Sequence, residues 1–117
     1  MTDITLIDKP INRRQLKKIA ERLFGDMVKG VVDIEKEIMA IGGELHADEE
    51  AYLLDQKSKQ ANLWGINMYP DLEMPDFLEF DSMINIRPSQ NNNSRTVEDQ
   101  QLQQKITAIA KKLVSDA

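Results

Sequence analysis

Met27-Val28-Lys29-Gly30-Val31-Val32-Asp33-Ile34-Glu35-Lys36-Glu37-Ile38-Met39-Ala40-Ile41-Gly42-Gly43 is the stretch on which the fold turns. Two periodicities compete in it. Val31, Ile34, Ile38 and Ile41 recur at helical spacing, while Val32, Ile34, Ile38 and Ala40 fall at even intervals broken only at Lys36. The run is rich in β-branched residues and Gly42-Gly43 closes it, which favours a strand. On that reading Asp33, Glu35 and Glu37 line the opposite face.

Downstream, residues 44–56 admit two readings. Leu45, Ala47, Ala51 and Leu53 alternate as in a strand, whereas the residues from Ala47 to Leu54 are helix formers with Asp48 as a cap. The polar turn Gln56-Lys57-Ser58-Lys59-Gln60 tips the reading towards a strand. Leu63-Trp64-Gly65-Ile66-Asn67-Met68-Tyr69 is a strand with Trp64, Ile66 and Met68 on one face. Pro70 and Pro75 bracket an acidic loop. Residues 77–86 give the clearest strand signal: Leu78, Phe80, Ile84 and Ile86 point one way, and Glu79, Asp81, Asn85 and Arg87 the other.

Upstream, residues 1–11 form an arm or edge strand that Pro10 stops. Asn12 and Gln15 make a capping box for a helix over 12–24, with Leu16, Ile19, Ala20, Leu23 and Phe24 inward and Gly25 at its end. Arg13, Arg14, Lys17, Lys18 and Arg22 give that helix a basic outer face, read as solvated. A closing helix starts at the Asp99 cap, buries Leu102, Ile106, Ile109 and Leu113, and ends with Lys111 and Lys112.

Together these elements predict one α+β domain over 1–117. It has two layers: a roughly four-stranded antiparallel meander, with an N-terminal and a C-terminal helix packed on one face. The other face is left open, and Asp33, Glu35, Glu37, His46, Asp48, Glu50, Asn67, Glu79, Asp81, Asn85 and Arg87 make it acidic.

The totals narrow the function. Among 117 residues there is no cysteine, which excludes disulfides and thiolate metal sites. No basic, apolar leader opens the chain and no apolar run could span a bilayer, so a cytoplasmic location is expected. A net charge of −5 and only three Phe, two Tyr and one Trp make nucleic acid an unlikely partner. Asn92-Asn93-Ser94 matches a glycosylation pattern, but without a leader it reads as chance.

Catalytic chemistry has little footing. His46, the sole histidine, stands near Glu44 and Asp48 and would be the base of a small metal-assisted hydrolase. The competing reading is a surface histidine, or one donating to a backbone carbonyl. No serine lies in a nucleophile elbow, and no glycine-rich phosphate loop occurs. Neither a cofactor nor a metal is expected.

The polar loop is the better candidate. Asn67, Asn85, Arg87, Ser89, Gln90, Asn93, Ser94 and Arg95 are the expected binding residues, with Arg87 and Arg95 offering a small anion its ligands. Against this, Asp99 already fills the following N-cap, Arg87 can pair with Asp81 or Glu79, and loop amides can satisfy their own backbone.

Three blocks carry a family likeness: Gly42-Gly43-Glu44-Leu45-His46-Ala47-Asp48, Asn62-Leu63-Trp64-Gly65-Ile66-Asn67 and Ile84-Asn85-Ile86-Arg87-Pro88-Ser89-Gln90, with Ser94-Arg95 following. From Val31 onward the chain resembles a small family of uncharacterised bacterial proteins, a domain of unknown function. The resemblance implies a bacterial, cytoplasmic protein and no particular activity. It also implies a turn glycine at position 57, where this chain has Lys57, and a departure within Asn91-Asn92.

The expectation is therefore a non-enzymatic module that binds a protein partner or itself, as a homodimer, through the acidic face and the 87–95 loop. Met39, Met68 or Met83 would supply apolar contact there.

Overall fold

The computed structural model describes residues 3–116. The chain is α+β. Five strands form one sheet in the order β1-β4-β3-β5-β6, with every neighbouring pair antiparallel. β1 (Thr5–Ile7) is the expected edge strand; β3 (Val28–Asp33) and β4 (Ile38–Ile41) form a hairpin; β5 (Leu63–Met68) pairs with β3 along its whole length. β6 (Leu78–Glu79) touches β5 only at Asn67 and Met68. Separately, β2 (Ile11–Asn12) pairs in parallel with β7 (Val114–Ser115) and ties the two ends of the chain together.

The opening stretch is strand, but as two strands rather than one. Asp33 makes the break: its Oδ1 accepts from the N–H groups of Glu35 and Lys36 at 2.9 and 3.0 Å, a local turn that folds the chain back on itself. Glu37, at φ 57°, completes the hairpin. Asp33, Glu35 and Glu37 therefore do not share a solvated face, and Asp33 is buried.

α1 (Arg13–Arg22) starts at the capping box of Asn12 and Gln15 and stops short of Gly25, whose φ of +89° lets its N–H close on the Ala20 carbonyl. α3 (Gln100–Leu113) is capped by Asp99 and carries Lys111 and Lys112 in its last turn. Both pack on the same sheet face. Leu16 and Ala20 from α1, with Ile106, Ile109, Ala110 and Leu113 from α3, meet Val28, Val32, Met39, Ile41, Trp64, Ile66 and Met68. Met39 and Met68 are thus core residues, and only Met83 of the three methionines is exposed.

Residues 46–55 overturn the strand reading. They form α2 (His46–Asp55), which lies on the opposite sheet face, where Leu53 packs with Val31, Ala40 and Leu63. The open acidic face does not exist, because a helix covers it. The strand expected over 77–86 is also cut short. After Glu79 the chain leaves the sheet and turns at Met83–Asn85, so Phe80 joins the α1/α3 core and Ile84 the α2 core. No helix among the described residues is long and apolar enough to cross a membrane.

Candidate functional site

β5 needs a neighbour on its outer edge, and β6 supplies one for only two residues. Side chains replace the missing strand. Asn85 Oδ1 accepts the Gly65 N–H at 2.8 Å, and its Nδ2 donates to the Gly65 and Arg95 carbonyls, both at 3.0 Å. This docking is so close that a Cβ on Gly65 would sit 2.5 Å from that of Ser82. Arg87 extends the substitution. Its guanidinium donates to the carbonyls of Leu63, Gln60 (2.8 Å) and Ile84 (3.0 Å), lies 4.7 Å over the Trp64 ring, and stands 3.6 Å from Glu50. Burial lowers its pKa and Glu50 works against that shift.

Asn92, which sequence reasoning passed over, fastens the loop itself. Fully inside, it donates to the carbonyls of Asn85, Ser94 and Thr96 and accepts the Glu98 N–H. Gln90 bonds Arg87 and the Ala61 carbonyl, and Ser94 Oγ and the Asn93 N–H both reach Glu98. Ser89 is exposed at the tip. Asn67 is buried and donates to Glu79 and the Asp81 carbonyl. Of the expected binding residues, Asn85 and Arg87 therefore spend their polar groups on the fold, and Asn67 does so through Nδ2 while its buried Oδ1 has no partner among the described residues. The expected Arg87 partner, Asp81 or Glu79, is also corrected: Asp81 holds Arg95 at 2.7 Å.

Beneath the sheet's second face, α2 turns His46, Glu49 and Leu53 inward. His46 Nε2–H donates to the Ile66 carbonyl at 2.8 Å, and burial pushes the imidazole pKa down, so the ring is neutral near pH 7. Glu49 is wholly buried. Its Oε2 accepts the Gly43 N–H at 2.9 Å, Oε1 has no partner among the described residues, and desolvation pushes its pKa up to about 9. Glu44 and Asp48 are exposed on the rim, so the imagined His46-Glu44-Asp48 constellation does not converge. Among the described residues no three His, Cys, Asp or Glu side chains group as metal ligands would.

His46 and Arg95 do meet. With Lys29, Leu45, Ala47, Ser82, Met83 and Ile84 they line a pocket of about 180 Å³ at the start of α2. Lys29 comes from β3, beside Asn67 on β5, and its ammonium lies 5.4 Å over the Phe24 ring. Leu45 and Met83 stand on the rim, 59% and 65% exposed, although both are large and apolar. The lining contains no carboxylate. Leu45, the N-cap of α2, offers no side-chain acceptor, so the first N–H groups of the helix are uncapped. Lys29 could not be singled out in advance, since it lies within a run read for its apolar residues.

A family model described as a protein of unknown function (DUF5674) matches residues 5–113, from the start of β1 to the end of α3. No curated protein and no solved structure matches the chain.

Proposed function

Since the chain belongs to the DUF5674 family of proteins of unknown function, we propose its role from its own geometry: a non-catalytic protein-interaction module, working through the surface at the start of α2. One observation carries this reading. Two large apolar side chains, Leu45 and Met83, are exposed while lining one pocket with Lys29, His46 and Arg95. Keeping such side chains exposed costs solubility, and contiguous exposure of this kind marks contact surfaces. The pocket is smaller than the roughly 300–1,000 Å³ of a typical metabolite site. The one histidine gives its Nε2–H to the Ile66 carbonyl, and the carboxylates a hydrolase would pair with it, Glu44 and Asp48, are exposed.

The reading is tested with a photo-crosslinking amino acid at Met83, in cells that express the protein, with the same group at exposed Gln104 on α3 as control. A defined adduct from position 83 and none from 104 is expected. Equal labelling from both positions, or none from either, sinks the interaction surface. An adduct to a second copy assigns the surface to self-association.

A further inference from the structure

We infer that the occupant of this pocket is an acidic segment of a separate protein that inserts a single large apolar side chain. This rests on the interaction reading above and adds the chemistry of the partner.

The volume sets the first requirement. A cavity of about 150 Å³ holds a benzene-sized group, so the 180 Å³ here takes one aliphatic or aromatic side chain and not a nucleotide or folded element. Leu45, Ala47, Met83 and Ile84 line it with hydrocarbon.

Charge sets the second. The chain carries −5 overall, yet this lining has two cations and no carboxylate. Lys29 makes no ion pair among the described residues; its neighbour is the Phe24 ring. Arg95 gives Nε to Asp81 at 2.7 Å and leaves its remaining N–H groups unengaged among the described residues, with the side chain 55% exposed. An apolar anchor flanked by Asp or Glu satisfies all of these at once. Nucleic acid does not, because two cations give too small a phosphate footprint and the hydrocarbon lining would be left wet.

Three segments of the chain set an apolar residue between two acids, and only Asp71-Leu72-Glu73 exposes it, Leu72 at 44%. Its charges are already used: Asp71 pairs with Lys17 at 2.8 Å and Glu73 lies 3.8 Å from Arg13. Both cations belong to α1, on the other side of the sheet from α2. Engagement of that loop would build a head-to-tail array instead of a closed dimer. A separate partner fits better.

A randomised peptide library displayed on phage, panned against the full chain, tests the inference. The expected enriched sequences place two or more Asp or Glu beside one Leu, Ile, Met, Phe or Trp. A synthetic peptide of the enriched sequence should bind with an anisotropy change, weaken about tenfold with Met83→Asp or Arg95→Gln, and weaken as salt rises. Both side chains are exposed, and unchanged melting of each variant certifies its fold. No enrichment, enriched sequences without acid, or binding indifferent to both variants overturns the inference. So does an anionic polymer such as heparin that binds as tightly as the peptide and ignores Met83→Asp. Light scattering that shows concentration-dependent arrays, dispersed by Leu72→Ser, replaces the separate partner with a second copy. A crosslink at position 83 alongside a barren library keeps the interaction module and discards the acidic anchor; a barren crosslink discards both.

Discussion

The two faces of this sheet are built on different principles. Under α1 and α3, eighteen buried apolar residues form one continuous core; under α2 only four do. The buried polar residues are distributed the other way. Asp33, His46, Glu49, Ser58, Asn67, Ser82, Asn85, Arg87 and Asn92 all lie beneath α2 or in the loop that closes the β5 edge. The first face is held by hydrocarbon, which tolerates repacking. The second is held by directed bonds, each of which leaves a buried group bare if its partner is removed. That contrast explains why the exposed apolar residues and the pocket sit where they do. The α2 side is fixed by its polar network, so its rim residues contribute little to folding and are free to make contacts.

Removing Arg87 should break the second face most severely. Arg87→Ala strands the Leu63, Gln60 and Ile84 carbonyls and leaves Glu50 without its counter-charge. A loss of about 4 kcal/mol is expected in urea unfolding, with Trp64 fluorescence altered in the folded state. Arg87→Lys should recover little, because one ammonium cannot reproduce the fork. A loss under about 1 kcal/mol would mean the loop is held by something other than these bonds. Asn85→Ala comes next, at about 3 kcal/mol, since both the Gly65 N–H and its carbonyl lose their partner beside a neighbour too close to admit water. Gly65 amide exchange should quicken with it.

The same contrast decides what could be read from the sequence. α1, α3, β1 and β5 were legible because their signals are local or periodic: the Asn12/Gln15 box, the Asp99 cap, the stripe of Ile106, Ile109 and Leu113, and the alternation of Trp64, Ile66 and Met68. α2 was not. Its inward stripe is His46, Glu49 and Leu53, so two of its three buried positions are polar, while Leu45 and Leu54 face solvent. A helix with a polar inner face has no apolar periodicity to detect. The residues after Glu79 failed for a related reason: their alternation is real, but Asn85 and Arg87 side chains take the place of backbone pairing. At the candidate site, His46 and Arg95 stood out by residue type. Lys29 and Leu45 did not, because what matters about them is a juxtaposition across β3, α2 and the 82–95 loop.

Glu49 sharpens the comparison through pH. Its folded carboxyl holds a proton up to about 9, while in the unfolded chain it releases it near 4.5. The folded state therefore binds more protons between those values. This contribution to stability is fully present below pH 4.5 and drains away as pH rises through 9, at up to about 1.4 kcal/mol per pH unit. Glu49→Gln removes the slope. The variant should match the parent near pH 4.5 and exceed it by a margin that grows from there up to about pH 9, in urea midpoints measured across that range. Parallel pH profiles for the two proteins would show that the carboxyl is solvated.

The smallest expected effect has the opposite sign and sits at the end of α2. Ser58 N–H bonds the Leu53 carbonyl at 3.0 Å and Lys57 N–H bonds that of Leu54 at 3.1 Å, the paired closure of a Schellman motif. This closure requires a left-handed residue at position 57, and Lys57 occupies it at φ 75°. A lysine there bears a steric cost of about 1 kcal/mol that glycine avoids, less the entropy glycine adds to the unfolded chain. Lys57→Gly should therefore stabilise the protein by about 0.5 kcal/mol, which is where the family resemblance places a glycine. The gain should appear in unfolding rates and midpoints while peptide capture at the Met83 pocket stays unchanged. A loss of stability would show that the Lys57 side chain makes a favourable contact outweighing its backbone strain, and that the C-terminal end of α2 is secured differently from the rest of its face.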